Sequence, residues 1–288
     1  MGVGTFTRSS FAAYTARYDD RSYDANTGRV TGQTYKAKHL DKSLDPRKFT
    51  VRECCNTEEH PNTIPVILAL DVTGSMGEAC SEVAAALGTI MNNLYEKFED
   101  IEFCIMGIGD LAYDDAPIQM SQFESDVRIA ESLDKIYMEY GGGGNDYESY
   151  TAAWYMGLKR TKLDCFDKQG RKGIIITMGD EALNPYLSKE SLNEAINGME
   201  ERNILTKKLY EQAREKFNIF HIAVDSSKNS YNLYKDKIEA TFGRLLGLNF
   251  KISTINNLSQ TIEECITESV NAVPVYQNIV DENGEISW

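Results

Sequence analysis

The sequence predicts an α/β protein: a doubly wound, mostly parallel sheet flanked by helices, with an extended N-terminal arm. Two observations carry the sheet. From about residue 62, short apolar runs alternate with amphipathic segments, the pattern of strands joined by crossover helices. The runs are apolar throughout rather than at alternate positions, as strands buried on both faces are. A third observation sets off the arm, because residues 1–61 break this alternation.

Residues 1–61 scatter tyrosines among turn residues with no sustained period, and read as an arm packed on the domain or ordered by a partner. The globular domain is expected over 62–272. Its first strand is "PVILAL" (65–70), followed by a helix over "EACSEVAAALGTIMNNLYEKF" (78–98). "IEFCIMGIG" (101–109) is the second strand and "APIQMS" (116–121) a weaker edge strand. "SDVRIAESLDKIYMEY" (125–140) and "ESYTAAWYMGLKR" (148–160) have helical spacing. The strand "GIIITM" (173–178) precedes helices over "SKESLNEAIN" and "NILTKKLYEQAREKF". "IFHIAV" (219–224), the helix "SYNLYKDKIEATFGRLL", the strand "NFKIS" (249–253) and the helix "NLSQTIEECITESVNAV" close the series. Residues 273–288 form a short tail.

Composition narrows the class. The 288 residues are 42% hydrophobic and 26% charged, ordinary for a globular protein with a substantial core. No apolar run nears the roughly 20 residues that span a bilayer. The start, "MGVGTFTRSSF", lacks the apolar stretch of a signal peptide, and Phe6 stands where myristoylation needs Ser or Thr. A cytoplasmic protein without a membrane partner is expected. The six cysteines have no zinc-type spacing and read as reduced core residues. A net charge of −14 argues against nucleic acid as a partner. The charge is uneven: residues 1–60 hold ten basic and eight acidic residues, whereas 61–120 set Lys97 alone against ten acids.

The stretch "VILALDVTGSMG" (66–77) ends an apolar strand on Asp71, Thr73 and Ser75. Alternate residues of an extended chain face the same way, so three oxygen-bearing side chains can converge. A phosphate cradle, an aspartyl nucleophile and a hard-cation site all use such a cluster. The phosphate loop needs a Lys before its hydroxyl, and none is present. "DVTGS" resembles the DKTGT stretch of P-type ATPases, in the haloacid-dehalogenase-like superfamily, and "GGGGND" (141–146) echoes that superfamily's GDGxND loop. Gly142 stands in place of that loop's first Asp, and a helical segment rather than a strand leads into it. An aspartyl-nucleophile phosphatase is therefore the alternative reading. The hard-cation reading draws on two further loops. "GIIITMGDEALNP" ends a second buried strand on Asp180, and "GGGGNDYESY" offers Asn145, Asp146, Glu148 and Ser149. Oxygen ligands of this kind suit magnesium, and ligands of open α/β sheets gather at the carboxyl edge. His39, His60 and His221 have no ligand spacing, and His221 reads as a core residue.

D-x-T-x-S after the first strand resembles the D-x-[ST]-x-S opening of the metal-ion-dependent adhesion site in von Willebrand factor A domains. The order of first-strand motif, glycine-rich middle loop, Asp after a later strand and two further βα units matches over about 62–272. The resemblance implies a Rossmann-like fold and a Mg²⁺ (or Mn²⁺) site at Asp71, Thr73, Ser75, Asp146 and Asp180. Thr73 and Ser75 would ligate directly, and Asp71 and Asp180 through waters. The family often places a Thr in its middle loop; this loop is closer to its GGGDxPE-like variants, and Thr151 falls in the next helix's first turns. The resemblance further implies a non-catalytic interaction module whose partner protein supplies an Asp or Glu to the metal. Family members of this kind serve as adaptors beside MoxR-type AAA+ ATPases. A scaffold acting through its N-terminal arm remains the third reading.

Overall fold

A computed structural model describes residues 4–32, 34–139 and 147–272. A six-stranded sheet lies at its centre. Its strands are β1 (Ile64–Asp71), β2 (Ile101–Ile108), β3 (Ile118–Met120), β4 (Gly173–Gly179), β5 (Phe217–Asp225) and β6 (Phe250–Thr254). They lie in the order β6-β5-β4-β1-β2-β3, all neighbours parallel except the edge strand β3. This is a doubly wound order. The chain leaves β1 toward β2 but reaches β4 on the other side, so the switch point at which open α/β sheets form their ligand crevice falls at the carboxyl ends of β1 and β4.

The two faces of β1 bury different layers. Val66, Leu68 and Leu70 join a core with α2 (Gly77–Tyr95), α3 (Arg128–Lys135) and the last helix, Leu258–Asn271. Ile67 and Ala69 join the opposite core, formed by α4 (Thr151–Arg160), α5 (Lys189–Ile196), α6 (Thr206–Lys216) and α7 (Tyr231–Leu246). Local signals set several helix ends. Ser188 caps α5 by accepting from the Ser191 amide, and Asn197 closes it in the left-handed region. Among the described residues no helix is long and apolar enough to cross a membrane.

Three expectations change. The N-terminal stretch is folded rather than extended: it carries α1 (Arg8–Thr15, numbered ahead of α2) and an antiparallel pair between Ser22–Tyr23 and Val30–Thr31. Phe6, Phe11, Tyr14, Val30 and Tyr35 enter the core beside α2 and α3. Arg21 grips Asp134 of α3 through two bonds of 2.6 Å. The helix expected over 125–140 spans only Arg128–Lys135, because Gln119 holds the Tyr137 amide and carbonyl at 2.8 and 2.7 Å and draws that stretch out of helical geometry. The helix expected from 148 starts at Thr151, because Tyr147–Glu148 instead pairs with Ala182–Leu183. The tail expected over 273–288 lies outside the described residues.

His221, on β5, is fully buried and stacks on Phe242 with centroids 3.5 Å apart. Its Nδ1 lies 2.9 Å from Thr177 Oγ1, while Nε2 has no hydrogen-bond partner. Burial holds its pKa well below the ordinary value of 6.5, so the fold keeps the ring neutral. The unfolded chain takes up the proton first, and stability present above about pH 6.5 is lost as pH falls below it, by up to ~1.4 kcal/mol per unit. Phe at this position keeps the stack, and Thr177 still donates to Phe220 O at 3.2 Å. Urea melts of His221→Phe are expected to show a flatter loss between about pH 6.5 and 5 than the parent; an equally steep loss would assign the acid sensitivity elsewhere.

Candidate functional site

Asp71 is the last residue of β1 and Asp180 follows β4, so both carboxylates stand at the crevice, each with 0% of its surface exposed. A buried carboxylate needs donors, and three different parts of the chain supply them. Asp71 Oδ1 accepts from the Thr73 hydroxyl at 2.5 Å and the Thr73 amide at 3.0 Å. Its Oδ2 accepts from the Tyr150 phenol at 2.8 Å. Asp180 Oδ1 accepts from the Ser75 hydroxyl at 3.1 Å, and its Oδ2 from the Ser230 amide at 2.6 Å. The Thr73 and Ser75 hydroxyl oxygens are 3.3 Å apart and join the two halves. Thr73 is buried and Ser75 half-buried, with Gly74 exposed between them.

The pair is electrostatically unbalanced. Burial raises both carboxyls, and the charge of Asp180 raises Asp71 further, against the Thr73 and Tyr150 hydrogen bonds. Glu148 stands nearby, 3% exposed. Its Oε2 has no hydrogen-bond partner. Burial first, then the charges of Asp71, Glu181, Asp114 and Asp110, hold its carboxyl far above the usual range. The crevice thus crowds carboxyl groups whose charged forms these side chains alone do not stabilise.

Of the expected ligands, Asp71, Thr73, Ser75 and Asp180 come together. Asp146, with Asn145 and the glycine run, lies outside the described residues. Ser149 is engaged elsewhere, accepting from the Leu111 amide at 3.1 Å. Thr151 turns from the crevice to Asn184, which donates to its hydroxyl at 2.6 Å. Among the described residues no three His, Cys, Asp or Glu side chains form a metal-binding group; hydroxyls make up half of the converged set.

Tyr150 is the residue that sequence reasoning missed. It is buried, its ring lies 5.0 Å from His221, and its hydroxyl also accepts from the Glu181 amide at 3.3 Å. Gly179 makes room for it: a Cβ there would stand 1.9 Å from the phenol oxygen. The signal was the glycine before Asp180, which no turn requires.

No family model matches the chain, and no curated protein matches it. Solved structures do align. The pilus adhesin SpaC from Lactobacillus rhamnosus GG, in its open conformation, is 10% identical with a TM-score of 0.50, over 75% of this chain and 31% of that one. A second form of that adhesin gives 12%, 0.46, 75% and 31%. A mutant of the PilB minor pilin from Streptococcus sanguinis gives 12%, 0.47, 74% and 64%. The first likeness shows a shared α/β fold over three quarters of this chain, which spans about a third of the adhesin's length.

Tyr150→Phe keeps the ring but leaves Asp71 Oδ2 without its donor. It is expected to lower unfolding free energy by about 1–3 kcal/mol. Gly179→Ala, which drives the whole phenol from its seat, is expected to cost more. Chemical denaturation of both variants checks the order; a neutral Gly179→Ala would mean that the phenol can move freely.

Proposed function

We propose that this chain is a non-catalytic, metal-dependent protein-interaction module of the von Willebrand factor A type. In this reading Asp71, Thr73, Ser75 and Asp180 hold Mg²⁺, or Mn²⁺ in its place, and Asp146 remains a candidate from the middle loop. The observation that carries the reading is the pair of hydroxyls bridging two buried carboxylates. Each can give its proton to a carboxylate, Thr73 to Asp71 and Ser75 to Asp180, which leaves oxygen lone pairs for a cation. Their 3.3 Å separation is close to the ~3 Å between neighbouring ligands of an octahedral Mg²⁺ with bonds of about 2.1 Å. The raised carboxyls and the unpartnered Glu148 Oε2 support the same conclusion, since a divalent cation supplies the positive charge the crevice lacks.

When bound, the metal supplies a Lewis-acidic centre that attracts an anionic oxygen. The chain's own residues orient and shield. Tyr150 and the Ser230 amide turn one oxygen of each carboxylate away from the hydroxyls, and Thr73 and Ser75 present theirs to the crevice. The hydroxyls have carboxylates and each other for partners, with no imidazole or amine base among the described contacts, which supports binding rather than turnover. The ligand is then an Asp or Glu on another protein. By the resemblance in D-x-T-x-S, that protein is a MoxR-type AAA+ ATPase or a complex it remodels, which this chain joins as an adaptor. All six cysteines are free thiols, the usual state in a reducing compartment, and we place the module in the cytoplasm.

Calorimetric titration of MgCl₂ and MnCl₂ into chelator-treated protein is expected to show saturable one-site binding. Asp71→Ala should abolish it, and Thr73→Ala should weaken it about tenfold or more. Absence of saturable binding in the parent, folded by circular dichroism, would overturn the proposal. Metal-dependent phosphate release from an aryl phosphate, lost in Asp71→Asn, would instead assign an aspartyl-nucleophile phosphatase.

A further inference from the structure

We propose that Tyr35 is a positioning residue for the Asp71–Ser75 loop, through which the N-terminal segment braces the site from behind α2. The inference rests on the metal-binding reading above. Tyr35 has a left-handed backbone, φ +53°, which bulky side chains rarely adopt and which persists only where surrounding contacts impose it. Its side chain is buried, and its hydroxyl donates to Cys80 O at 3.0 Å. Cys80 belongs to the first turns of α2, directly after the loop. The same cysteine donates through Sγ to Asp71 O at 3.2 Å. One residue is thus fixed on two sides, by Tyr35 at its carbonyl and by the end of β1 at its thiol. Thr73 and Ser75 lie on the short connection between these fixed points.

The grip continues along α2. Arg29 binds Glu82 through two bonds of 2.8 and 2.6 Å. Thr89 donates to Thr27 O at 2.5 Å. At Gly88 the two backbones come so close that a Cβ would stand 2.2 Å from Gly28 O. Two residues past Tyr35, Ala37 forms a parallel bridge with Tyr137. Residues 35–37 therefore brace both the helix that follows the first loop and the strand-like stretch after α3. Of these contacts only the Tyr35 hydroxyl reaches a residue bonded to Asp71. Metal affinity depends on ligand oxygens held in place by groups behind them, so removal of this hydroxyl should loosen the ligands while the fold stands.

Tyr35→Phe removes the hydroxyl and keeps the ring. At a temperature where parent and variant are both fully folded, the Kd for Mg²⁺ by calorimetry is expected to rise roughly tenfold. In chelator-treated protein, amide hydrogen exchange over residues 72–80 should quicken. Arg29→Ala releases the segment farther along α2 and is expected to lower Tm while leaving the Kd within about twofold. An unchanged Kd in Tyr35→Phe, with or without a lower Tm, would overturn the proposal and make Tyr35 an anchor of the fold alone. Should the parent itself bind no Mg²⁺, the metal reading fails and the exchange measurement decides separately. Faster exchange over 72–80 would then still support positioning of the loop, and unchanged exchange would overturn it.

Discussion

Two carboxylates without solvent, at the ends of parallel strands, are the constraint around which the upper edge of this protein is organised. Asp71 and Asp180 each have 0% exposure, and an unpaired buried carboxylate is costly enough that the group neutralises or recruits donors. Here the donors come from the loop after β1, the residue before α4 and the residue before α7. Three connections are therefore pinned to the two carboxylates. The glycine at 179 belongs to the same constraint, because the phenol that serves Asp71 occupies the space a side chain would need.

Much of the architecture was legible because its signal is local. Strands buried on both faces must be apolar at every position, and "PVILAL" and "GIIITM" fall within β1 and β4. "APIQMS" contains β3, the antiparallel edge. The failures have a common cause in partners distant along the chain. Phe6, Phe11 and Tyr14 have no clear period of their own and are buried in a core shared with α2 and α3. "DKIYMEY" continues a helical pattern, yet Gln119, eighteen residues away, captures the Tyr137 backbone.

The candidate site divides in the same way. Asp71, Thr73 and Ser75 are neighbours at alternate positions, and Asp180 ends an obvious strand, so their convergence follows from the topology of a doubly wound sheet. Tyr150 was hidden because a tyrosine at the start of an apolar helix reads as core, and its ring is indeed core, packed near His221 and Phe242. Its oxygen matters only once Asp71 is known to lie 2.8 Å away. Thr151 is the reverse case. A threonine beside the expected loop invites a role at the crevice, but Asn184 claims both its amide and its hydroxyl.

The way the N-terminal segment packs has a consequence for how the protein is made. Tyr14 rests on Asp134, 120 residues later in the chain. At synthesis rates of about 5–20 residues per second, roughly 6–24 s separate the two on the ribosome. Until first α2 and then α3 have been made, Phe6, Phe11 and Tyr14 have only one another and nearby rings such as Tyr18 and Tyr23 to pack against. This segment thus completes its contacts only after a long stretch of later chain has been made. A nascent chain presents this aromatic segment to the cell's chaperones until α3 has emerged.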